Sequence, residues 1–284
     1  MATIYNRATM TYNNVTTTSN IAQGNLVEAL SANKTAVANS YAPGDLVTYV
    51  LSITNTGNSA FNNIAISDNL GAYTSGNRTL VPLDYVPGSV RYYINGVMQA
   101  DPTAVAGPPL NLSGINVPAG GNITVIYAAR VNEFAPLGED ATIENTARIT
   151  GAGISTPLTA TASINQQDGL QLTLSKSICP NSVVEGEPVT YTITIQNNGT
   201  TPAVATDNIV ITDVFDPILN ITSVTFNGVQ WFSPQNYTYN SATGLFSTVN
   251  GQITVPAASY SQDPSTGAWT LNPGSSTLSI TGTL

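Results

Sequence analysis

One stretch of this chain is written twice, and that repeat restricts the possible folds more than any other feature. Lys34–Gly57 reads KTAVANSYAPGDLVTYVLSITNTG and Lys176–Gly199 reads KSICPNSVVEGEPVTYTITIQNNG. In each, a lysine stands ten residues before a turn glycine (Gly44, Gly186), then come Val-Thr-Tyr, alternating apolar and polar residues, and Asn-x-Gly. Downstream, Ile64–Asp68 answers Ile209–Asp213, Asn95-Gly96-Val97 answers Asn227-Gly228-Val229, and Ile123–Val131 answers Thr277–Leu284. Self-similarity over such a span means one structural unit built twice. The 284 residues are enough for two domains of ordinary size.

The repeated unit is made of strands. Leu46–Thr54, Val90–Ile94, Ile123–Arg130, Thr142–Thr150, Val189–Gln196, Asn208–Thr212 and Thr277–Thr281 alternate with a period of two between clusters of Gly, Pro, Asn and Asp. No segment carries a 3.6-residue apolar stripe, and no run of 18 apolar residues offers a transmembrane helix. The pattern predicts an all-β chain of two tandem Ig-like β-sandwiches. The expected boundaries are an N-terminal strand and linker over 1–26, a first sandwich over 27–152, a linker over 153–168 and a second sandwich over 169–284. The excursions Asp101–Leu110 and Ser233–Asp263 read as loops or hairpins.

The copies differ in one respect. The first ends with the strand Ile143-Glu-Asn145-Thr-Ala147-Arg-Ile149-Thr, whereas the second stops where that strand should begin. Its counterpart stands at the other end of the chain, as Ile4-Tyr-Asn6-Arg-Ala8-Thr-Met10-Thr. The spacing agrees, because 28 residues separate Asn6 from Lys34 and 31 separate Asn145 from Lys176. A sandwich short of a strand has unpaired backbone groups and an open core, and strand addition repairs both. The donor strand carrying Ile4, Asn6, Ala8 and Met10 either folds back on its own second domain or enters that of another molecule. The first sandwich intervenes in the chain, so insertion into a neighbour is the expected route. It produces a head-to-tail homopolymer.

Three polar residues per repeat fall on inward-facing parity. Lys34 shares its face with Leu30 and Ala32, and Lys176 shares its face with Leu172 and Leu174. Asp68 follows Ile64 and Ile66, Asp213 follows Ile209 and Ile211, Asn145 matches Ile143 and Ala147, and Asn6 matches Ile4 and Ala8. Any one of them could simply end an apolar face in solvent. A Lys, Asp and Asn recurring together point instead to a buried site, since such groups are seldom buried without partners.

The first-strand Lys, the Val-Thr-Tyr alternation ending in Asn-x-Gly, the Ile-x-Asp and the Asn-Thr-Ala together resemble the bacterial and archaeal surface repeat called domain of unknown function eleven. The resemblance covers Lys34–Thr150 and Lys176–Leu284. It implies tandem β-sandwiches of a surface protein, with a spontaneous Lys–Asn isopeptide bond promoted by the central Asp. By that implication Lys34 joins Asn145 within the first domain, assisted by Asp68, and Lys176 joins Asn6 of an adjacent molecule, assisted by Asp213. The chemistry is physically reasonable. Burial lowers a lysine's pKa, raises that of a carboxyl, and leaves the acid able to support the attacked amide.

Composition removes most competing functions. There is no histidine, so neither a Ser-His-Asp triad nor a His-ligated zinc site can be built. A net charge of −9, with only seven Lys and Arg, argues against nucleic acid and anionic membrane. Cys179 stands alone and reads as a small apolar filler. Asp207, Asp213 and Asp216 match no calcium-ligand spacing. No cofactor or metal is expected. Tyr92, Tyr93, Trp231, Trp269, Tyr237 and Tyr239 could form a glycan platform. The expected function is therefore the subunit of an extracellular or spore-surface filament. An adhesin or surface-layer module is the alternative, and an enzyme using a carboxylate pair ranks last.

Overall fold

The computed structural model describes residues 2–26 and 29–284. They form two Ig-like β-sandwiches preceded by a β-ribbon, with one 3-10 turn at Ala205–Asp207. The expected boundary between 26 and 27 abuts residues 27 and 28, which lie outside the described residues.

In the first sandwich, one sheet runs in the order Val97–Met98, Arg91–Ile94, Asn122–Val131, Leu46–Asn55 and Leu30–Ala36. Leu83–Tyr85 lies beside Asn122–Val131. The facing sheet runs Thr103–Val105, Leu110–Val117, Phe61–Asp68, Thr142–Thr150, Leu158–Gln166 and Ser40–Tyr41. Alternation decides what is inside. Val47, Tyr49, Leu51 and Ile53 meet Ile64, Ile66, Ile143, Ala147 and Ile149 in a single core. The turn glycines that open the repeated strand, Gly44 and Gly186, hold φ of +87° and +83°, a backbone state that side chains with a Cβ disfavour.

The segment expected to be a linker over 153–168 is different in the structure. Leu158–Gln166 is a full strand of the first sandwich, antiparallel to Thr142–Thr150, with Ala160, Ala162 and Ile164 buried. Its alternation of Thr or Ser with Ala looks like a polar linker in one dimension. In the sheet, the alanines suit a crowded inner face.

The second sandwich repeats the five-strand order of the first sheet: Val229–Gln230, Asn220–Phe226, Gly274–Thr283, Pro188–Asn197 and Leu172–Cys179, without a separate counterpart of Leu83–Tyr85 among the described residues. Its second sheet holds only Thr212–Val214, Leu245–Thr248 and Tyr237–Asn240. Among the described residues, nothing stands beyond Thr212–Val214, where the first sandwich places Thr142–Thr150 and then Leu158–Gln166. The deficit is thus two long strands, with the two-residue strand Ser40–Tyr41 beyond them, rather than the one strand expected.

The N-terminal segment also differs from the single strand and linker expected. Ala2–Asn6 pairs with Ala22–Leu26, and Thr9–Tyr12 pairs with Val15–Thr18. Asn13 and Asn14 turn the ribbon at φ of 48° and 60°, the positive values required by a tight hairpin, and asparagine tolerates them. Among the described residues the ribbon pairs with neither sandwich, and Ile4, Tyr5, Met10, Tyr12, Val15 and Ile21 are all exposed.

A second ribbon, Ser259–Gln262 with Trp269–Asn272, reaches from the second sandwich to the first. The Trp269 amide donates to Glu133 O at 2.7 Å, the Trp269 indole N–H to Tyr73 Oη at 3.2 Å, and Ser75 Oγ to Gln262 Oε1 at 3.3 Å.

Candidate functional site

Each sandwich holds a lysine facing an aspartate across the core. In the first, Lys34 sits opposite Leu51 near the edge of one sheet, and Asp68 ends the strand Phe61–Asp68, between Leu110 and Ala147. Lys34 Nζ donates to Asp68 Oδ2 at 2.6 Å, with side-chain exposures of 0% and 2%. Tyr127 Oη donates to the same oxygen at 2.7 Å, and the Leu70 amide donates to Oδ1 at 3.0 Å. Asn145 lies two residues before Ala147 and opposite Ala162. Its Nδ2 donates to Tyr127 Oη at 2.9 Å, while its Oδ1 is buried without a partner. The rings of Tyr49 and Tyr127 stack at 5.5 Å, with Lys34 Nζ 5.0 and 5.7 Å from their centroids.

The surroundings set the protonation. Burial draws the Lys34 ammonium down to about 8, with Asp68 opposing the shift. Burial, reinforced by Asp68, drives the Tyr127 phenol well above its ordinary value, so it remains a proton donor. A buried ion pair of this kind costs several kcal/mol per ion in desolvation, which its mutual attraction only partly returns. Lys34, Asp68 and Asn145 are brought to one place. Asp68 does not touch Asn145 directly, however, because Tyr127 bridges them. Sequence comparison missed Tyr127 for a simple reason. It faces Tyr49 across the ladder, the second sandwich has Ile280 facing Tyr191 at that position, and the repeat therefore conceals it.

The second sandwich contains the same pair in the same register, with Lys176 opposite Ile193 and ion-paired to Asp213. Lys176 Nζ stands 4.7 Å from the Tyr191 ring centroid and 5.1 Å from that of Phe215. What differs is cover. The Lys176 side chain is 38% exposed and that of Asp213 15%. The lysine strand is exposed from Thr173 to Cys179, with Leu174 at 61% and Ile178 at 42%. Val210 and Val214 are exposed along the free edge. Cys179, expected as an apolar filler, is exposed for the same reason. Asn6 lies in the ribbon and is not brought to Lys176 within this chain.

The remaining candidates are occupied structurally. Tyr92 Oη donates to Asn116 O at 2.7 Å, Trp231 stacks on Phe226, Tyr237 stacks on Phe246, Tyr239 Oη donates to Leu219 O, and Trp269 reaches the first sandwich. These aromatics, with Tyr93 half-buried beside Met98, form no common platform. Asp207 accepts the Val204 amide at 2.8 Å, whereas Asp213 faces Lys176.

No family model matches the chain, and no curated protein matches it. Solved structures do. The major pilin subunit of Bacillus cereus is 9% identical, with 94% of this chain and 70% of that one covered at a TM-score of 0.38. The pilus backbone of Streptococcus pneumoniae is 12% identical, covering 86% and 55% at 0.33. The collagen-binding subdomain of the Enterococcus faecalis surface protein ACE is 14% identical, covering 50% and 99% at 0.32. Scores below 0.5 at such identities assign neither family nor function.

Proposed function

We propose that the chain is the structural subunit of an extracellular or spore-surface filament, joined head to tail when the N-terminal segment of one molecule completes the second sandwich of the next. The observation that carries this reading is the edge strand Thr212–Val214, unpaired on its outer side among the described residues, beside a partly uncovered Lys176–Asp213 pair, in a molecule whose exposed N-terminal strand repeats the Asn145 strand of the first sandwich. The proposal includes the surface-repeat resemblance, and with it two isopeptide bonds.

Within the first sandwich, the Lys34 ammonium passes a proton to Asp68, and the freed amine attacks Asn145 Cγ. Tyr127 lies between Asp68 Oδ2 and Asn145 Nδ2, placed to relay that proton to the departing nitrogen. The Nζ–Cγ bond forms, Nζ gives its second proton to the Asp68 carboxylate, the Cγ–Nδ2 bond breaks, and the nitrogen leaves as ammonia with the relayed proton. A buried charge pair becomes a neutral amide. Between molecules, Lys176 attacks Asn6 in the same way with Asp213 as the acid. Such bonds form once each, so the chemistry is structural and not that of a turnover enzyme.

Purified protein run on a denaturing gel after boiling should give a ladder, and Asn6→Ala or Lys176→Ala should collapse it to a single band. Intact mass should show the first sandwich short by one ammonia, a deficit that Lys34→Ala abolishes. Monomer on the gel and by electron microscopy, from protein with an intact N-terminus, refutes the filament.

A further inference from the structure

We infer that the second sandwich receives the entire ribbon Ala2–Leu26 of a second copy as a preformed two-stranded unit. Its first strand takes the place that Thr142–Thr150 holds in the first sandwich, and its second takes the place of Leu158–Gln166. The inference rests on the strand-donation reading and specifies what is donated.

Register is the first support. In the first sandwich Asn145 lies opposite Ala162, and in the ribbon Asn6 lies opposite Ala22. Strand order and antiparallel sense are the same, and by sequence spacing Ile4, Ala8 and Met10 fall where Ile143, Ala147 and Ile149 are buried. The register itself agrees over Ala2–Asn6 with Ala22–Leu26, whereas Thr9–Tyr12 pairs with Val15–Thr18 one residue out of step with the Ala147–Ile149 ladder.

The size of the gap is the second. Leu158–Gln166 packs over Leu30–Ala36 in the first sandwich and closes it around Lys34. A single donated strand would pair with the edge at Thr212–Val214, yet it would leave the inward side of the lysine strand bare at Leu174, Lys176 and Ile178. Two strands cover both.

Volume is the third. With Asn6 aligned to Asn145, Gly24 takes the position of the buried Ile164. On the receiving lysine strand, Leu174 and Ile178 replace Ala32 and Ala36. The donor is small where the acceptor is large, an exchange that offsets most of the volume added on the lysine strand. This exchange has no purpose unless the second strand of the ribbon is seated too. Inserting the ribbon whole also preserves its own hydrogen-bond ladder, which peeling off one strand would break.

Tyr5 and Gln23 face each other across the ribbon, on the side opposite Asn6. The variant Tyr5→Cys/Gln23→Cys, made in a Cys179→Ser background, locks the ribbon closed when oxidised. The expected result is equal polymer from the oxidised and reduced forms by electron microscopy and boiled gels. Polymer only after reduction would show that the strands must separate, overturning this inference while leaving strand donation intact. Failure of both the variant and its Cys179→Ser parent would overturn strand donation and this inference with it. Gly24→Ile provides an independent measure, because a Cβ there meets nothing within 4 Å in the free chain. It should slow assembly at least tenfold and be rescued by Leu174→Ala. Assembly at the parental rate would overturn the seating of the second strand.

Discussion

The lysines of the two sandwiches hold the same repeat position and live in different environments. Lys34 is sealed against Asp68 and two tyrosine rings, and burial holds its ammonium near 8. Lys176 makes the same ion pair partly in water, where such a pair contributes only about 0–1 kcal/mol. Lys34, Asp68 and Asn145 were legible in the sequence because each shares parity with buried aliphatic residues and because the set recurs. Tyr127 was not legible, since Ile280 replaces it in the other copy and nothing local distinguishes it from any strand tyrosine. Its place between Asp68 and Asn145 gives a specific expectation. Tyr127→Phe removes the relay hydroxyl while keeping the ring stack, and should slow ammonia loss on the order of 100-fold. Intact-mass time courses would show this as a standing fraction of unbonded protein, and wild-type rates would exclude the relay.

At the scale of strands and turns, the repeated Asn-x-Gly does more than its turn propensity suggests. Asn55 is buried, its Nδ2 donates to Ser59 O at 2.8 Å and Pro118 O at 2.9 Å, and its Oδ1 accepts the Gly57 amide at 2.9 Å. Asn197 pins Thr201 O, Pro256 O and the Gly199 amide in the same manner. Each asparagine ties two loops at one end of its sandwich. Asn55→Ala would leave the partly buried Gly57 amide and Pro118 carbonyl, and the more exposed Ser59 carbonyl, without this partner, at a cost of about 1–3 kcal/mol in unfolding free energy. The exposed neighbour Asn58, changed to Ala, should leave the denaturant midpoint within about 0.5 kcal/mol of wild type. The strand Leu158–Gln166 shows the opposite failure of local reading. Alanines that looked like linker composition are core residues, because a crowded inner face selects for small side chains.

Across the whole molecule, the two sandwiches are joined by more than their covalent connection. The ribbon Ser259–Gln262 with Trp269–Asn272 lays Trp269 against Glu133 and Tyr73. Gly267, at φ +83°, brings its backbone so near Leu80 that a Cβ would lie 2.8 Å from that side chain. Trp269→Ala keeps the backbone bond to Glu133 but loses the indole contact. Small-angle scattering of a chain lacking residues 2–26, which has no ribbon to donate, should then show a broader distribution of interdomain distances with both sandwiches folded. An unchanged profile would mean the ribbon does not brace the joint.

Residues read in order are enough to establish that this chain is all-β, that it holds one unit twice, and that the two copies are unequal. Period-two alternation and a literal repeat are properties of neighbouring residues. The tertiary structure alone decided that the deficit is two strands, that the N-terminal segment is already a ribbon, and that only one of two identical-looking lysines is buried. Burial depends on which strand, from which distant part of a chain, comes to lie alongside. No local pattern carries that information.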